Sequence, residues 1–215
     1  MTEEIKAVAR RHLATEGANL SLRAVARDMG MVSSALYRYF ASRDDLLTAL
    51  ILDAYNSLAD AVAAADQAVT DRTRLRARWL SAARSIRAWA LANPAEYALI
   101  YGSPVPGYAA PEETIAAASR IYLVLVRILA DGCASAALHA PALSIAEAVR
   151  ADLARTTADF SPELPEGLLL AGLTAWIQLF GHVSFELFGQ FNNVIEARAA
   201  FFDQQMEQMA DLMGL

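Results

Sequence analysis

Apolar side chains recur every three to four residues along most of the chain, which is the period of an amphipathic α-helix. Leu75, Trp79, Ala82, Ile86 and Trp89 are a clear case, because they are spaced by four, three, four and three residues. No segment alternates with the period of two expected of a strand. Capping residues, glycines and prolines mark the ends of the predicted helices. These cover residues 3–16, 22–29, 34–40, 42–66, 71–93, 94–101, 112–138, 144–159, 166–188 and 194–213. The sequence therefore predicts an all-α protein.

Composition supports helices more than it supports a membrane protein. The chain has 215 residues, 56% of them hydrophobic, and 46 are alanine. Alanine is the strongest helix former and adds little apolar surface. The single cysteine, Cys133, excludes an internal disulfide and a zinc site built from several cysteines.

One uncharged run of 19 residues, 167–185, is long enough to consider as a membrane span. It contains four polar residues, which are Thr174, Gln178, His182 and Ser184. We therefore expect a helix buried against protein and no membrane association. Acidic residues at positions 3 and 4 also argue against a signal peptide, so a cytoplasmic location is predicted.

Charge is divided unevenly along the chain. The net charge is −6, which for the whole protein argues against binding to nucleic acid. Residues 1–47, however, hold seven bases and six acids, for a net charge of +1. The rest holds 11 bases and 18 acids, for a net charge of −7. This shift suggests two functional regions.

Residues 22–39 have the pattern of a helix-turn-helix. Two short predicted helices flank Gly30, which can adopt the positive φ of a tight turn. Ala26 is small where the helices must cross closely, and Val25 and Leu36 supply apolar contacts. The alternative is a plain helical corner, because any helical hairpin can imitate the pattern.

The segment that follows, Leu-Tyr-Arg-Tyr-Phe-Ala-Ser-Arg-Asp-Asp-Leu-Leu over 36–47, resembles the end of the DNA-binding domain of TetR/AcrR transcriptional regulators. This resemblance implies an all-α homodimer with an N-terminal three-helix helix-turn-helix domain at 1–47. It further implies a C-terminal helical domain at 48–215 for ligand sensing and dimerisation. Val32 departs from the family, which usually has Ser or Thr there to cap the recognition helix, so we expect Ser33 or Ser34 to cap it instead.

DNA contacts are predicted on the second and third helices. Short side chains at the start of the recognition helix suit base edges, and these are Ser33, Ser34 and Ala35. Phosphate contacts are assigned to Ser21, Arg23, Tyr37, Arg38, Tyr39 and Arg43. The alternative for the two tyrosines is amphipathic packing. Val25, Leu36 and Phe40 are assigned to the core. A twofold dimer is expected to bind two half-sites of a palindromic operator, about 34 Å apart.

A ligand pocket and a subunit interface are predicted in the C-terminal region. Residues 176–191 resemble the WHG type of TetR sensor domain, although Phe180-Gly181-His182 departs from its residue order. Aromatic content suggests a pocket for a small hydrophobic effector among Trp79, Trp89, Tyr97, Tyr101, Tyr122 and His182. Ordinary core packing is the alternative for these residues.

Apolar stripes on the last two helices predict a dimer interface of four helices. Its residues are Trp176, Phe180, Val183, Leu187, Phe202, Met206 and Met209. The alternative is an intramolecular core. The many arginines of 71–93 are expected to form a solvated or salt-bridged face.

No catalytic constellation is found in the sequence. Phosphate-binding loops and dinucleotide-binding glycine motifs are lacking, and His182 with Glu186 gives only two candidate metal ligands. We therefore predict no enzyme, cofactor or metal site. The predicted function is a DNA-binding regulator, expected to be a repressor, that a ligand releases from its operator. The alternative is a helical protein that binds hydrophobic ligands and has no DNA function.

Overall fold

The structure is a computed structural model and describes residues 1–17, 20–141, 144–160 and 164–215, without the side chains of residue 16 and of 156–160. This described part holds ten helices and no strand, so the all-α prediction is confirmed. The helices are α1 Thr2–Glu16, α2 Leu22–Asp28, α3 Ser33–Leu36, α4 Arg43–Gln67, α5 Leu75–Ala92, α6 Pro94–Tyr101, α7 Glu113–Ala134, α8 Glu147–Phe160, α9 Glu166–Leu187 and α10 Arg198–Met213.

Most predicted helix ends lie within one residue of the observed ends. Helices α5, α8 and α10 begin three or four residues later than predicted, and α3 and α7 end four residues earlier. The Ser21 hydroxyl caps α2 by accepting a hydrogen bond from Ala24 N at 3.4 Å. The Ser42 hydroxyl does the same for Asp45 N at 3.1 Å, at the start of α4. The third helix is only one turn long and ends at Leu36, whereas a helix to residue 40 was predicted.

Neither Ser33 nor Ser34 caps this helix, so that prediction was wrong. Val32 occupies the cap position, with an extended backbone and no side-chain hydrogen bond to cap the helix. Ser33 is consequently the first helical residue.

Two compact units divide the chain, and each combines separate stretches of sequence. Unit 1 comprises 1–59 and 90–118, and unit 2 comprises 60–89 and 119–215. The predicted boundary between residues 47 and 48 follows chain order, whereas unit 1 also takes in α6 and the loop after it.

Unit 1 is built around the helix-turn-helix core. Ile5, Leu46 and Leu47 have no exposed surface within it. Val105, from the loop after α6, belongs to the same apolar cluster, and Leu99 and Tyr108 pack against it. Polar contacts join α1 to α4, because Asp53 accepts hydrogen bonds from Lys6 at 3.0 Å and from Arg10 at 2.5 Å. The loop after α6 is therefore part of the packing that holds the helices of the helix-turn-helix.

Unit 2 packs α9 and α10 against α5 and α7. Trp79 is 2% exposed, and its indole Nε1 donates to Met206 O at 2.8 Å. The arginines of α5 form ion pairs, as expected. They include Arg76 with Asp211, Arg78 with Asp66 at 2.8 Å, Arg84 with Asp203 at 2.8 Å and Arg87 with Glu186 at 2.6 Å.

Two helices, α4 and α9, are long and apolar enough to cross a membrane by length and composition alone. Half of the most apolar window of each is buried inside the protein. Buried core helices of water-soluble proteins have the same property, so these helices are weak evidence for a membrane span.

Candidate DNA-binding surface and ligand cavity

The turn between α2 and α3 has the geometry that the sequence predicts. Gly30 has φ +67°, a conformation that side chains with a Cβ rarely adopt. Met31 N donates to Ala26 O at 2.9 Å and closes the turn. Val25 and Leu36 are fully buried and Phe40 is 7% exposed, which confirms their assignment to the core. The short third helix is therefore fixed by packing on its inner side.

The outer side of α3 presents small polar groups. Ser34 is exposed, while Ser33 and Ala35 are half-buried. Val32, directly before the helix, is 70% exposed. A methyl-bearing side chain and a hydroxyl are thus the groups that this end of the helix offers to a partner surface.

A surface depression of about 530 Å³ brings together four of the six predicted phosphate contacts. Ser21, Arg23, Tyr37 and Arg43 all line it. Ser42 lies among them, so the depression contains the capping residues of both α2 and α4. Backbone N–H groups at the starts of these two helices favour an anion.

Arg38 and Tyr39 do not line this depression, although both are exposed. The two tyrosines are each 45% exposed, so neither Tyr37 nor Tyr39 is a core residue. Their phenol groups are accessible to a phosphate backbone.

Arg43 has a structural contact as well as an accessible charge. Its Nε donates to Leu20 O at 3.2 Å, and its Nη1 lies 3.6 Å from the Asp44 carboxylate. The bond from Nε fixes the guanidinium at the edge of the depression.

The residues predicted for the ligand pocket lie in separate places. In unit 1, the Tyr97 and Tyr101 rings are 5.2 Å apart. In unit 2, Tyr122 meets Trp176 edge to face at 5.4 Å, and Trp79 and Trp89 are core residues. The space bounded by Trp79, Ile121 and Trp176 is only about 10 Å³. This packing leaves no room for an organic ligand there.

His182 occupies a third place, inside a cluster of phenyl rings. Its ring centroid lies 5.0 to 5.2 Å from those of Phe191, Phe201 and Phe202. Burial lowers the pKa of this histidine, although nearby Glu186 opposes the shift. Both oxygens of Glu186 accept hydrogen bonds from Arg87, at 2.7 and 2.6 Å. Among the described residues no group of three or more metal-ligating side chains exists.

A cavity of about 500 Å³ lies elsewhere, in unit 1. Its walls come from α4, the end of α6, the loop after it and the start of α7. Tyr55 and Tyr108 are among the residues that line it, whereas Tyr97 and Tyr101 are not. Sequence reasoning missed this site. The one signal for it was the loop 102–111, whose three prolines keep the backbone from continuing as a helix.

The predicted interface stripes of α9 and α10 lie mostly inside one chain. Val183, Phe202 and Met206 are at most 1% exposed, and Phe180 is 8% exposed. For these four residues the structure favours the alternative of an intramolecular core. Trp176, Leu187 and Met209 are half-buried.

Another side of α9 is exposed and uncharged. It carries Thr174, Ile177, Gly181 and Phe185 and continues to Phe188, which directly follows the helix; these residues are spaced by three, four, four and three positions. Ile177 is 69% exposed and Phe185 is 54% exposed. We call these five residues the open face of α9. Sequence reasoning could not single it out, because α9 is apolar on nearly every side.

Comparison with known proteins connects both regions of the chain to one family. Residues 5–50 match the model of bacterial regulatory proteins of the tetR family, and 79–209 match the model of the tetracyclin repressor-like C-terminal domain. The second match alone spans more than half of the chain. The chain belongs to the TetR family. The resemblance drawn from the helix-turn-helix is thereby confirmed, and the paired matches make this TetR-family chain a DNA-binding transcriptional regulator.

Individual relatives agree with this membership. The HTH-type transcriptional regulators Rv1816 of Mycobacterium tuberculosis and Mb1846 of Mycobacterium bovis are each 38% identical to it, over 98% of this chain and 91% of theirs. The crystal structure of regulatory protein SCO4313 is 36% identical, with a TM-score of 0.80, over 98% of this chain and 95% of that one. A tetR-family protein from Rhodococcus RHA1 shares the fold, with a TM-score of 0.68 at 18% identity, over 99% of this chain and 96% of that one.

These relatives and family models are transcriptional regulators and not enzymes, in agreement with the prediction from sequence. The alternative of a ligand-binding protein without a DNA function is set aside for the same reason.

Proposed function

We propose that the protein is a homodimeric repressor that binds a palindromic operator in the cytoplasm and is released from it by a small hydrophobic ligand. The observation that carries the DNA-binding part is the arrangement around α3. Exposed Ser34 faces outward beside the depression that Arg23, Tyr37 and Arg43 line. Base contacts and phosphate contacts thus have neighbouring places on one surface.

Base recognition is assigned to the start of α3. Serine hydroxyls donate and accept hydrogen bonds, and the Ala35 methyl suits the thymine methyl group. Val32 adds a second apolar group beside Ser33, because it is exposed at the cap position. A recognition helix of one turn supports only a few base contacts.

Phosphate binding is assigned to Ser21, Arg23, Tyr37 and Arg43 within the depression, and to Arg38 and Tyr39 beside it. Such contacts fix the orientation of the protein on DNA and carry no sequence information themselves. They make binding depend steeply on salt concentration.

Dimerisation is assigned to the open face of α9 together with α10. A contiguous uncharged apolar surface on a soluble protein marks an interaction site. Gly181 supports this assignment, because a Cβ placed there would meet no atom of the same chain within 4 Å. A glycine in the middle of a helix costs about 1 kcal/mol relative to alanine. Packing inside the chain gives no reason for it, whereas a closely approaching partner helix does.

The test is selection of binding sites from a random DNA library with the purified protein. We expect an inverted repeat whose half-site centres are about one helical turn, or roughly 34 Å, apart. Affinity for the selected fragment should fall as salt rises. Arg23→Ala should weaken binding to every sequence alike, while Arg127→Ala, an exposed arginine of unit 2, should leave it unchanged. Recovery of no common sequence, or salt-independent affinity, would count against the proposal.

A further inference from the structure

The cavity of unit 1 has the volume and lining of a small-molecule site. Its volume of about 500 Å³ lies within the ~300–1,000 Å³ range of ligand pockets. It is lined by Ile51, Tyr55, Leu99, Ile100, Gly102, Ser103, Pro104, Val105, Tyr108, Ala110, Thr114, Ile115 and Ala118. Every one of these side chains is uncharged. A charged ligand would lose its hydration here without gaining an ionic partner, so the lining favours a neutral molecule.

Hydroxyl groups supply the polar part of the lining. Tyr55 OH donates to Ile100 O at 3.3 Å, and Thr114 Oγ1 donates to Pro111 O at 2.7 Å. A hydroxyl oxygen that donates its proton can still accept a hydrogen bond. Burial, with a smaller effect of nearby Tyr108, raises the pKa of Tyr55, so its phenol stays neutral at physiological pH. The lining therefore suits a ligand that carries a hydrogen-bond donor.

Two walls of the cavity, α4 and the loop after α6, also support the helix-turn-helix. Ile51 and Tyr55 belong to α4, the helix that begins at Arg43 beside the candidate phosphate contacts. Val105 lines the cavity and is at the same time a member of the helix-turn-helix core. A molecule in this cavity would thus contact the packing that holds α1 to α4 in place.

A hydrogen bond connects the loop wall to α4. Thr48 Oγ1 and Tyr108 OH are 2.9 Å apart, and Tyr108 both lines the cavity and packs against the helix-turn-helix core. Movement of Tyr108 to admit a ligand would break or shift this bond. Occupation of the cavity therefore has a direct physical route to the position of α4.

We propose that this cavity is the effector site, and that it takes an uncharged, mainly apolar molecule with a hydroxyl or similar hydrogen-bond donor. This inference rests on the proposed release of DNA by a ligand, and it replaces the aromatic pocket expected from sequence. The effector acts by binding better to the arrangement of α4 that has low affinity for DNA.

Binding to the cavity can be tested without DNA. The probe is Nile red, an uncharged fluorescent dye that tests the apolar lining, and the competitor is 1-decanol, whose hydroxyl supplies the hydrogen-bond donor. Ala110 and Ala118 line the cavity, whereas their neighbours Ala109 and Ala116 are exposed and do not. Ala110→Phe or Ala118→Phe should fill the cavity and weaken dye binding by about tenfold or more, which corresponds to ~1.4 kcal/mol.

Matched substitutions decide the outcome. Ala109→Phe and Ala116→Phe should bind the dye as the unmodified protein does. The exposed loop position of Ala110 keeps the test valid if Ala118→Phe disturbs the helix. Equal dye binding by Ala110→Phe and Ala109→Phe would overturn the site, because the dye would then bind elsewhere.

The effect on regulation is measured separately, by the affinity for the selected DNA fragment with and without 1-decanol. The inference is supported if 1-decanol lowers the DNA affinity of the unmodified protein and of Ala109→Phe but leaves that of Ala110→Phe unchanged. A change of DNA affinity that is the same in both variants would overturn it. Failure of the protein to bind DNA at all would refute the proposed function, while the dye measurements would still report on the cavity.

Discussion

Gly181 provides a test of the proposed dimer, because Gly181→Ala should stabilise the isolated subunit and at the same time weaken the dimer. Within a single chain, a Cβ at position 181 meets no atom within 4 Å. Gly181→Ala should therefore stabilise the isolated subunit by about 1 kcal/mol through helix propensity alone. For a protein of this size such a gain raises the melting temperature by roughly 2–4 °C.

In the proposed dimer the same methyl group lies against a partner helix. Overpacking a close contact costs about 1–3 kcal/mol, and a twofold interface repeats the contact in each subunit. The expected cost is thus about 2–6 kcal/mol per dimer, which corresponds to a dissociation constant raised by at least ~30-fold. Gly181→Leu should have a larger effect.

Sedimentation velocity over a range of protein concentrations measures the dissociation constant, and thermal unfolding of the dilute protein measures subunit stability. Ala148→Leu, at an exposed position of α8, is the control and should dimerise normally. If Gly181→Leu dimerises with the dissociation constant of the unmodified protein, the open face of α9 is not the interface and the reasoning from the glycine fails.

Three further predictions concern other contacts. Arg87→Met should destabilise the protein by about 3–5 kcal/mol in urea unfolding, because it leaves the Glu186 carboxylate without its cation, and the Glu186 side chain is only 5% exposed. Adding Glu186→Met should restore much of the lost stability. No recovery in the double variant would argue against the pairing. Because burial lowers the pKa of His182 below 6.5, the free energy of unfolding should fall as pH is lowered from 6.5; His182→Leu should flatten this dependence in melting curves between pH 8 and 5, and an unaltered slope would assign it to other groups. Thr48→Val removes the bond to Tyr108. Because Thr48 does not line the cavity, this variant should leave Nile red binding intact while reducing the effect of 1-decanol on DNA affinity. An unchanged effect would exclude that bond as the link.

The sequence predicted the helices well because local signals determine them. Gly30, Ser21 and Ser42 act through the backbone within a few residues, and their roles are the ones expected. The short third helix was overestimated because apolar periodicity continues through Phe40, whose side chain is buried although the helix ends at Leu36.

Which side of an apolar helix is buried could not be predicted in the same way. Val183 and Ile177 are both aliphatic residues of α9, yet one is 1% exposed and the other 69%. The packing of α5, α7, α8 and α10 against α9 separates the two sides. The cavity was equally hidden, because Tyr55 and Tyr108 are distant in sequence and are brought together by the folding of the loop after α6.

The brevity of α3 has a consequence for how such a regulator finds its target. One turn of helix with Val32 at its cap and two serines at its start can discriminate few base pairs in each half-site. Each mismatched base pair costs only about 1–3 kcal/mol, and a genome offers millions of competing sites. A single subunit would therefore be bound mostly to non-specific DNA. Selectivity would arise only when both subunits of a dimer bind matching half-sites, because the two discrimination factors then multiply. Occupancy of the target would then follow the cellular concentration of dimer, so that modest changes in protein synthesis would alter gene expression even without an effector.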